Sequence, residues 1–554
     1  MKVVIIGGVA GGATAAARLR RLDESAEIIM FERGEYISYA NCGLPYYIGE
    51  VIKNKAALTV QTPQGFSRRF NVEVRTNQEV TAIDTFKQQV AVQNKSDGSV
   101  YWESYDKLLL APGAKPLLPD LPGIDSDRVF TLRTIPDTYR IKDFVDRNKP
   151  KKALIVGGGY IGLETAENLV NLGVEVILVQ RGEQIMNSLD YDMACEAENY
   201  LVSKGIKLLL KSEVKGFTDD GAHLAADLGD SSLSVDMAVL GVGVLPDTLF
   251  VQKSGIPCNE RGAIIVNDYL ETGVKNIYAV GDAVEKKNIL TGQTELLPLA
   301  GPANRQGHIA ADNIAGFKTA YPGVQGSAIL KLFDMTIAVT GLNEVKARNA
   351  GLNYDKVFTI SNSHAAYYPG AEPMMIKTLF CRDSGRILGA QIVGFSGVDK
   401  RCDVLATAIK ARMTASDLAA LELCYAPPFS SAKDPVNMIG YVVENILQGR
   451  LKQFHWHEVA DLPRDGSVLL LDVRTAKEYE KGHISGFKNI PLDELRDNLD
   501  KLERGKKIYV HCQSGLRSYI ACQILSQNGF DCYNFSGSYR LYKMISDKQA
   551  RLKK

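Results

Sequence analysis

A single cysteine lies at the centre of the segment SYANCGLPYY, close to the glycine-rich start of the chain. Cys42 has no second cysteine within five residues, so a local dithiol pair is excluded. The thiolate, and not the thiol, is the nucleophile towards sulfur–sulfur bonds. The segment therefore predicts a redox centre with one thiol, whose partner is a bound cofactor, a small thiol or sulfane sulfur.

A second cysteine, Cys512, opens the loop CQSGLRS between a strand-like run (KKIYVH) and a helical run (YIACQIL). Successive amides of such a loop can converge on an anion, and the N-terminus of the following helix adds positive potential. Both features favour the thiolate of Cys512 and equip it to hold a persulfide. Arg517 can attract an anionic sulfur donor. Cys522 and Cys532, in contrast, are expected to be packing residues.

The elements that must position Cys42 begin with VVIIGGVAGGATAAARLRRL, which predicts a buried strand, a tight turn and a helix. Gly7 and Gly12 hold the outer positions of the G-x-G-x-x-G pattern, whereas Val9 takes the middle one. Glu32 follows the second strand, EIIMFE, where a carboxylate can bind ribose hydroxyls. The pattern predicts a dinucleotide-binding unit; a purely structural βαβ unit is the alternative.

A second strand–turn–helix–strand unit occurs in KKALIVGGGYIGLETAENLVNLGVEVILVQRG. It matches the complete pattern at three glycines: Gly157, Gly159 and Gly162. Glu164, near the start of the helix, is interpreted as a carboxylate favoured by the helix dipole. Gln180 and Arg181 stand where an acid would favour NADH and an arginine would accommodate a 2′-phosphate, so the choice between NADH and NADPH stays open.

Another predicted strand, in VKNIYAVGDAVE, ends at Gly281–Asp282. A carboxylate at the carboxyl end of a strand can bond a ribityl hydroxyl of a flavin. This strand would complete the first nucleotide-binding unit. The first domain is then discontinuous, with the second unit inserted between its two parts.

The composition is that of a large enzyme with several cores. The 554 residues are enough for three or four domains, and a net charge of +1 gives no basic field for nucleic acid. Nine cysteines at irregular spacing indicate a reducing, cytoplasmic compartment. Glycines interrupt the apolar N-terminus, which is therefore not expected to be a signal peptide, and no membrane span is predicted. His455 and His457 lack a third ligand nearby, so no metal site is predicted.

These motifs, in this order, resemble the pyridine nucleotide–disulfide oxidoreductases over the first 448 residues. Within that superfamily, NCGLPYY and the segments YYPG and YAPP, at Tyr367 and Tyr425, resemble coenzyme A–disulfide reductases and persulfide reductases. The C-terminal hundred residues resemble a rhodanese through LDVR, GHISGFKNIP and the cysteine loop. Asp472, Arg474 and His483 of these motifs are expected to order the fold and not to react.

The resemblance implies FAD on the first unit, NAD(P)H on the second and a homodimer in which tyrosines reach the partner's active site. Tyr367 and Tyr425 could then donate a proton to a departing thiolate, whereas Tyr368 is expected to pack in the core. Coenzyme A is expected near the first helix and the Cys42 loop. The positions that match the family's coenzyme A contacts are Thr14, Arg18, Arg21, Ser38 and Asn41, with Arg68 or Arg69 as a looser match.

The predicted fold class is α/β, with two Rossmann-like domains, an α+β dimerisation domain and an α/β rhodanese domain. The predicted boundaries are 1–115 and 255–325 for the FAD-binding domain, 116–254 for the NAD(P)-binding domain, 326–448 for the dimerisation domain, 449–460 for a linker and 461–554 for the rhodanese domain.

The predicted function is flavin-dependent reduction of coenzyme A persulfide, polysulfide or coenzyme A disulfide by NAD(P)H, with a sulfur-transfer tail. Two alternatives remain. One is an NADH oxidase or peroxidase whose cysteine cycles through a sulfenic acid. The other is a non-catalytic flavin redox sensor.

Overall fold

The computed structural model describes residues 1–553, which form two compact units. The first unit comprises residues 1–185 and 205–324, and the second comprises residues 186–204 and 325–553. Each unit is built around parallel or antiparallel sheets with their own buried cores. Within the described residues, no helix is both long and apolar enough to traverse a bilayer.

The first unit contains twenty strands. They are β1 (Lys2–Ile6), β2 (Glu27–Glu32), β3 (Glu73–Thr76), β4 (Gln78–Asp84), β5 (Gln89–Asn94), β6 (Val100–Ser104), β7 (Lys107–Leu110), β8 (Ala114–Pro116), β9 (Val129–Thr131), β10 (Lys152–Val156), β11 (Glu175–Gln180), β12 (Lys207–Leu210), β13 (Gly216–Asp219), β14 (Leu224–Asp227), β15 (Ser232–Val235), β16 (Met237–Leu240), β17 (Val244–Pro246), β18 (Ile277–Ala279), β19 (Lys286–Lys287) and β20 (Thr294–Glu295). Its helices are α1 (Ala10–Leu22), α2 (Leu44–Ile48), α3 (Pro63–Phe70), α4 (Ile135–Asn148), α5 (Tyr160–Asn171), α7 (Leu249–Gln252) and α8 (Ala300–Ile314).

Two parallel five-stranded sheets organise this unit, in the orders β18-β7-β1-β2-β3 and β12-β11-β10-β16-β9. The central strands, such as β1 and β10, are continuous apolar runs because both of their faces are covered. Strand β18 pairs with β7, so the strand after the second sheet returns to the first. Residues on both sides of the second sheet in the sequence thus contribute strands to the first sheet.

The second unit contains α6 (Tyr191–Ser203) and two further sheets. The first sheet is antiparallel, in the order β21-β22-β25-β24-β23, and the second is parallel, in the order β26-β30-β29-β27-β28. The strands are β21 (Ala328–Leu332), β22 (Met335–Gly341), β23 (Tyr354–Asn362), β24 (Pro373–Cys381), β25 (Ile387–Gly394), β26 (Gln453–Phe454), β27 (Leu469–Asp472), β28 (Lys488–Asn489), β29 (Ile508–His511) and β30 (Cys532–Phe535). The remaining helices are α9 (Glu344–Asn349), α10 (Val398–Lys410), α11 (Ala415–Ala420), α12 (Pro435–Leu447), α13 (Ala476–Glu480), α14 (Leu516–Gln527) and α15 (Ser538–Leu552).

Two predicted boundaries differ from the structure. The stretch interpreted as a linker contains β26, which pairs with β30, and its buried Phe454 stacks on Phe535 with ring centroids 5.0 Å apart. Helix α6, placed by sequence in the NAD(P)-binding domain, groups with the second unit, because its residue Asp192 bonds the buried Lys377 of β24. Neither pairing is visible in local sequence, since both join residues that are far apart in the chain.

Candidate functional site

A cavity of about 470 Å³ lies in the first unit, where the first parallel sheet ends. Its walls include Ile6, Glu32 and Ala111, each at or just past the carboxyl end of β1, β2 or β7. Cys42 and Asp282 also line it. The carboxyl ends of parallel strands are where open α/β sheets bind their ligands. The fold thus collects residues from five separate stretches of sequence at one ligand-binding position.

The first glycine turn forms one wall of this cavity and requires its glycines. Gly7 has a φ of +98°, and a Cβ there would lie 2.1 Å from Ala111 O. A Cβ on Gly12 would lie 1.9 Å from Gly7 O. Glu32 accepts hydrogen bonds from the amides of Gly8 (3.0 Å) and Gly34 (2.9 Å). This close backbone turn at the start of α1, with an acid beside it, fits a bound dinucleotide.

Asp282 follows β18 in a short 3-10 helix and is paired with Arg133, whose Nη2 lies 2.9 Å from Asp282 Oδ2. Arg133 also lines the cavity, yet no sequence motif distinguishes it. Lys286 lies fully buried nearby and donates to Gly281 O at 2.6 Å. Burial lowers the pKa of the Lys286 ammonium to about 8. Asp282, the carboxylate predicted to bind a flavin, thus has two cations near it, Arg133 and Lys286, that sequence reasoning missed.

Cys42 lies in a 3-10 helix (Asn41–Gly43) immediately before α2, and its side chain is accessible from the cavity. Partial burial of its sulfur and, to a smaller extent, the negative charge of Glu164 raise the pKa of the Cys42 thiol. Arg133 acts in the opposite direction but does not reverse the shift. The surroundings of Cys42 therefore disfavour its thiolate.

Glu164 differs from its sequence interpretation. The first turn of α5 contains no acidic residue, and Glu164 lies beyond that turn. Glu164 is therefore not a carboxylate that interacts with the helix dipole. Burial raises the pKa of Glu164 to about 7, although the Tyr46 hydroxyl, 3.5 Å from Oε1, opposes the shift. A group that titrates near neutral pH thus lies within electrostatic range of Cys42.

The second glycine turn repeats the geometry of the first. Gly157 has a φ of +108°, and a Cβ on Gly162 would lie 2.0 Å from Gly157 O. A Cβ on Gly159 would meet no atom within 4 Å, which leaves open space at the N-terminus of α5. Gln180 accepts from the Gly158 amide at 3.0 Å, as Glu32 does from Gly8. The turn fits a second dinucleotide, and the position of Gln180 corresponds to that of the ribose-binding acid.

The predicted coenzyme A contacts do not all point to one place. On α1, Thr14 bonds Asn304 of α8 (2.6 Å) and Arg18 pairs with Asp312 of the same helix (2.8 Å), whereas Arg21 is exposed. Ser38 has a φ of +43° and its amide bonds Gly8 O. Asn41 lines the cavity beside Cys42, and its buried Oδ1 has no hydrogen-bond partner within residues 1–553. Of these five residues, Asn41 is the one that lines the cavity.

The tyrosines of the second unit lie on its surface. The hydroxyls of Tyr367 and Tyr425 are 2.9 Å apart, and the two residues are 75% and 47% exposed. The bond to Tyr425 raises the pKa of the Tyr367 hydroxyl. Tyr368 is 43% exposed, so the expectation that it packs in the core is wrong. Its ring contacts the His364 ring edge-on, with centroids 5.6 Å apart.

Cys512 follows β29 and lies fully buried at the start of α14. Its Sγ accepts from the Gly515 amide at 3.1 Å and from the Ser518 hydroxyl at 3.4 Å. Gly515 has a φ of +107°, which turns its amide towards the sulfur. Of the loop amides expected to converge, one donates to Cys512 together with a hydroxyl. Cys522 and Cys532 lie buried in the same core, as predicted.

Arg517 does not present a free cation to a sulfur donor. Its guanidinium forms a bidentate pair with Glu478 of α13, with both N–O distances 2.7 Å. The hydrogen bonds from Arg517 lower the pKa of Glu478 to about 2. Asp472 and Arg474 form another pair, fully buried, with Nη2 2.7 Å from Oδ2. The pair attaches the cysteine loop to α13, and the Glu478 carboxylate neutralises the charge of Arg517.

Three family models match the chain in the order of the structural domains. The pyridine nucleotide-disulphide oxidoreductase model matches residues 1–307, and its dimerisation-domain model matches residues 327–435. The rhodanese-like domain model matches residues 455–544. These matches confirm the predicted fold class.

Similar proteins match over most or all of their length. The coenzyme A disulfide reductase of Staphylococcus haemolyticus is 38% identical over 446 residues, which are 80% of this chain and 100% of that protein. The crystal structure of reduced Bacillus anthracis CoADR-RHD is 46% identical, covers 99% of this chain and 98% of its own, and has a TM-score of 0.96. A NAD-dependent persulfide reductase from A. fulgidus is 36% identical, covers 98% and 100% respectively, and has a TM-score of 0.91.

Proposed function

Because the chain belongs to the pyridine nucleotide-disulphide oxidoreductase family, we propose that it uses NAD(P)H to reduce coenzyme A persulfide through Cys42. Polysulfide and coenzyme A disulfide are further substrates of the same type. The observation that carries the proposal is the cavity, in which Cys42 lies together with the first glycine turn, Glu32 and Asp282. The similar proteins include a coenzyme A disulfide reductase and a persulfide reductase, which supports both substrate classes.

FAD and NAD(P)H are the cofactors of this family, and the two glycine turns are where this chain would hold them. Gly7, Gly12, Glu32 and Asp282 would hold FAD, and Gly157, Gly159 and Gly162 would hold NAD(P)H. Bound there, FAD supplies a two-electron carrier between NAD(P)H and sulfur. The preference between NADH and NADPH is open, because Gln180 lacks the charge of Glu32 and Arg181 is exposed beside Glu213.

The chemistry assigned to Cys42 is nucleophilic. Its thiolate attacks the inner sulfur of coenzyme A persulfide, forms a mixed disulfide with coenzyme A and expels hydrosulfide. Two electrons from NAD(P)H and a proton then return the Cys42 thiolate and free coenzyme A thiol. The net reaction converts the persulfide, NAD(P)H and a proton into coenzyme A, hydrogen sulfide and NAD(P)⁺. We assign the orientation of the substrate to Asn41, because it lines the cavity beside Cys42 and its Oδ1 has no hydrogen-bond partner within residues 1–553.

The exposed tyrosine pair supports a homodimeric active site. Tyr367 and Tyr425 share a hydrogen bond at the surface of the dimerisation domain, where a second copy can cover them. In the proposed dimer they donate a proton to the thiolate that leaves at the partner subunit's cysteine. The C-terminal domain collects sulfane sulfur on Cys512 and passes it to coenzyme A, whose pantetheine arm carries it to Cys42.

The first test is sulfide release from coenzyme A persulfide by the wild type and by Cys42→Ser. We expect release to fall by roughly 1,000-fold or more, because the substitution removes the nucleophile. Cys381→Ser, at the end of β24, is the matched control and should retain wild-type turnover. Undiminished release by Cys42→Ser would disprove the role of Cys42. Oxygen consumption equal to NADH oxidation would instead favour the oxidase alternative.

The second test uses mixed dimers of Cys42→Ser subunits with Tyr367→Phe/Tyr425→Phe subunits. If the tyrosines serve the partner's cysteine, one site of each mixed dimer is wild type and about half of the activity returns. If they serve their own subunit's cysteine, both sites stay defective. Purification with two different affinity tags isolates the mixed dimer for the assay.

A further inference from the structure

We propose that Ser538 is a positioning residue of the sulfur site at Cys512, where it stabilises the anionic sulfur through its hydroxyl. The inference rests on the proposed sulfur transfer at Cys512 and assigns a residue outside the cysteine loop to that site. Ser538 follows the last strand of the C-terminal sheet and begins α15, 26 residues after Cys512.

The contacts of Ser538 surround the nucleophile. Its Oγ accepts from the Cys512 amide at 3.3 Å and lies 3.9 Å from Cys512 Sγ. The same oxygen lies 3.4 Å from Ser518 Oγ, which itself donates to the sulfur. Both serines are fully buried. The sulfur of Cys512 is therefore enclosed by two hydroxyls and one loop amide, from opposite sides of the site.

The backbone at Ser538 favours a different residue. Its φ of +55° lies in the left-handed region, which glycine adopts far more easily than serine. Strain of this kind persists where the surroundings impose it, and it is concentrated at functional sites. Glycine would fit this backbone better, and it would lack only the hydroxyl that contacts Cys512. The presence of serine thus points to the hydroxyl.

The Ser538 hydroxyl can donate to either of two acceptors, Phe535 O or Cys512 Sγ. In the structure Ser538 donates to Phe535 O at 3.2 Å, so Cys512 receives no proton from it in this arrangement. Rotation about the Cβ–Oγ bond redirects the same proton to the sulfur when Cys512 carries a negative charge. The position of the oxygen is fixed, because the next two amides of α15, of Tyr539 and Arg540, bond the carbonyls of Cys512 (3.0 Å) and Gln513 (3.1 Å).

The sulfur-transfer step at Cys512 needs no reactant other than the sulfur donor. The Cys512 thiolate attacks the outer sulfur of an anionic sulfane donor such as thiosulfate. A Cys512–sulfur bond forms, the donor's sulfur–sulfur bond breaks, and sulfite leaves with the bonding electrons. The product is an anionic persulfide on Cys512, so negative charge is present at this site before and after transfer.

The test compares Ser538→Gly and Ser538→Ala with Ser536→Ala in the full-length holoenzyme. Ser536 is a buried serine two residues earlier that accepts from the Phe358 amide instead. The readouts are the pH midpoint of iodoacetamide alkylation at Cys512 and the rate of its mass increase with thiosulfate, both measured by peptide mass spectrometry. Thermal unfolding is recorded in parallel.

We expect Ser538→Gly to raise the alkylation midpoint by roughly 0.5–1 pH unit and to slow sulfur loading by about 3- to 10-fold. Its loss of thermal stability should be smaller than that of Ser538→Ala, because both variants lose the bond from the Cys512 amide but only glycine relieves the backbone strain. Ser538→Ala should show the same midpoint shift, and Ser536→Ala should show none. An unchanged midpoint in Ser538→Gly would overturn the inference. If the wild type takes up no sulfur while the midpoints still differ, the proposed sulfur transfer fails and the role of Ser538 stands.

Discussion

At the scale of single residues, the environment of Cys42 is the decisive feature. Burial and Glu164 raise the pKa of its thiol, and Arg133 only partly offsets them. A buried carboxylate that titrates near neutral pH makes this environment variable. When Glu164 is protonated, the repulsion that disfavours the Cys42 thiolate is removed. The protonation state of one glutamate can thus change the reactivity of the cysteine.

Glu164→Gln should stabilise the protein at high pH. The pKa of Glu164 is raised from 4.5 to about 7 in the folded protein, so the folded state binds more protons between these values. Stability contributed by this site therefore falls as pH rises from 4.5 to 7 and stays low above 7. We expect the variant to gain about 1–2 kcal/mol at pH 8 and nothing at pH 4, measured by thermal unfolding across pH.

The control for this experiment is Glu175→Gln, at the exposed start of β11. Its unfolding temperature should differ from that of the wild type by a similar small amount at every pH. If the effect of Glu164→Gln on stability did not depend on pH, the pKa of the Glu164 carboxyl would not be raised by its surroundings.

At the scale of elements, the two glycine turns are built alike but differ in one side chain. Both begin with a glycine at positive φ, and both have a side chain after the second strand that accepts from the turn's amide. Glu32 and Gln180 make this bond with equal geometry, 3.0 Å in each case. The bond orders the turn regardless of charge, so the missing carboxylate at Gln180 affects the nucleotide and not the fold.

Two glycines of the second turn allow the effect of a substitution on protein packing to be distinguished from its effect on nucleotide binding. Gly159→Ala would place its Cβ in open space, whereas Gly162→Ala would place it 2.0 Å from Gly157 O. We expect Gly159→Ala to keep the wild-type unfolding temperature but to weaken NAD(P)H binding by about 10-fold or more, because the methyl group occupies the space for the pyrophosphate. Gly162→Ala should lower the unfolding temperature. Nucleotide titration and calorimetry distinguish the two.

Equal nucleotide affinity in Gly159→Ala and the wild type would contradict the assignment of this turn to NAD(P)H. A matched substitution, Gly173→Ala, changes a glycine at positive φ just after α5, where an added Cβ would meet no atom within 4 Å. It should lower stability through backbone strain without an effect on the affinity for nucleotide.

At the scale of the molecule, α6 connects two parts of the second unit, the antiparallel sheet and the C-terminal domain. Near its start, Asp192 bonds the buried Lys377 and accepts from the Trp456 indole (3.2 Å). Near its end, Glu198 pairs with Lys548 of α15 at 3.0 Å, and both side chains are fully buried. The C-terminal domain is therefore packed against the body of this unit and is not a loosely tethered tail.

Lys548→Ala should loosen this attachment. Removal of one partner from a buried pair leaves an uncompensated charge, which costs about 3–5 kcal/mol. We expect urea unfolding, followed through Trp456 in a Trp102→Phe background, to shift to lower urea. Trp456 is a suitable probe because it stacks on Tyr191 of α6, with ring centroids 5.8 Å apart. The control is Lys543→Ala, which breaks only an exposed pair with Asp547 and should cost at most about 0.5 kcal/mol.

Local patterns were sufficient where the chemistry is local. The two glycine turns, Cys42 and the Cys512 loop were identified because tight turns and nucleophile loops need particular residues at fixed spacing. Arg133, Glu478 and Ser538 were missed, because each contributes from a distant part of the chain and no spacing rule marks it. Arg517 was recognised, but its pairing with Glu478 was not, since the two residues are 39 positions apart.

The sequence by itself determined the domain order, the two Rossmann-like units and the family, because these depend on short patterns of glycine and apolar residues. It also marked Cys42 and Cys512 as the candidate reactive residues. Only the tertiary structure decided how those groups are tuned. Whether Cys42 is surrounded by charge that favours its anion, and which hydroxyls face Cys512, depends on side chains brought together across tens to hundreds of residues. Electrostatic and hydrogen-bonding effects act through space, and the sequence does not contain those distances.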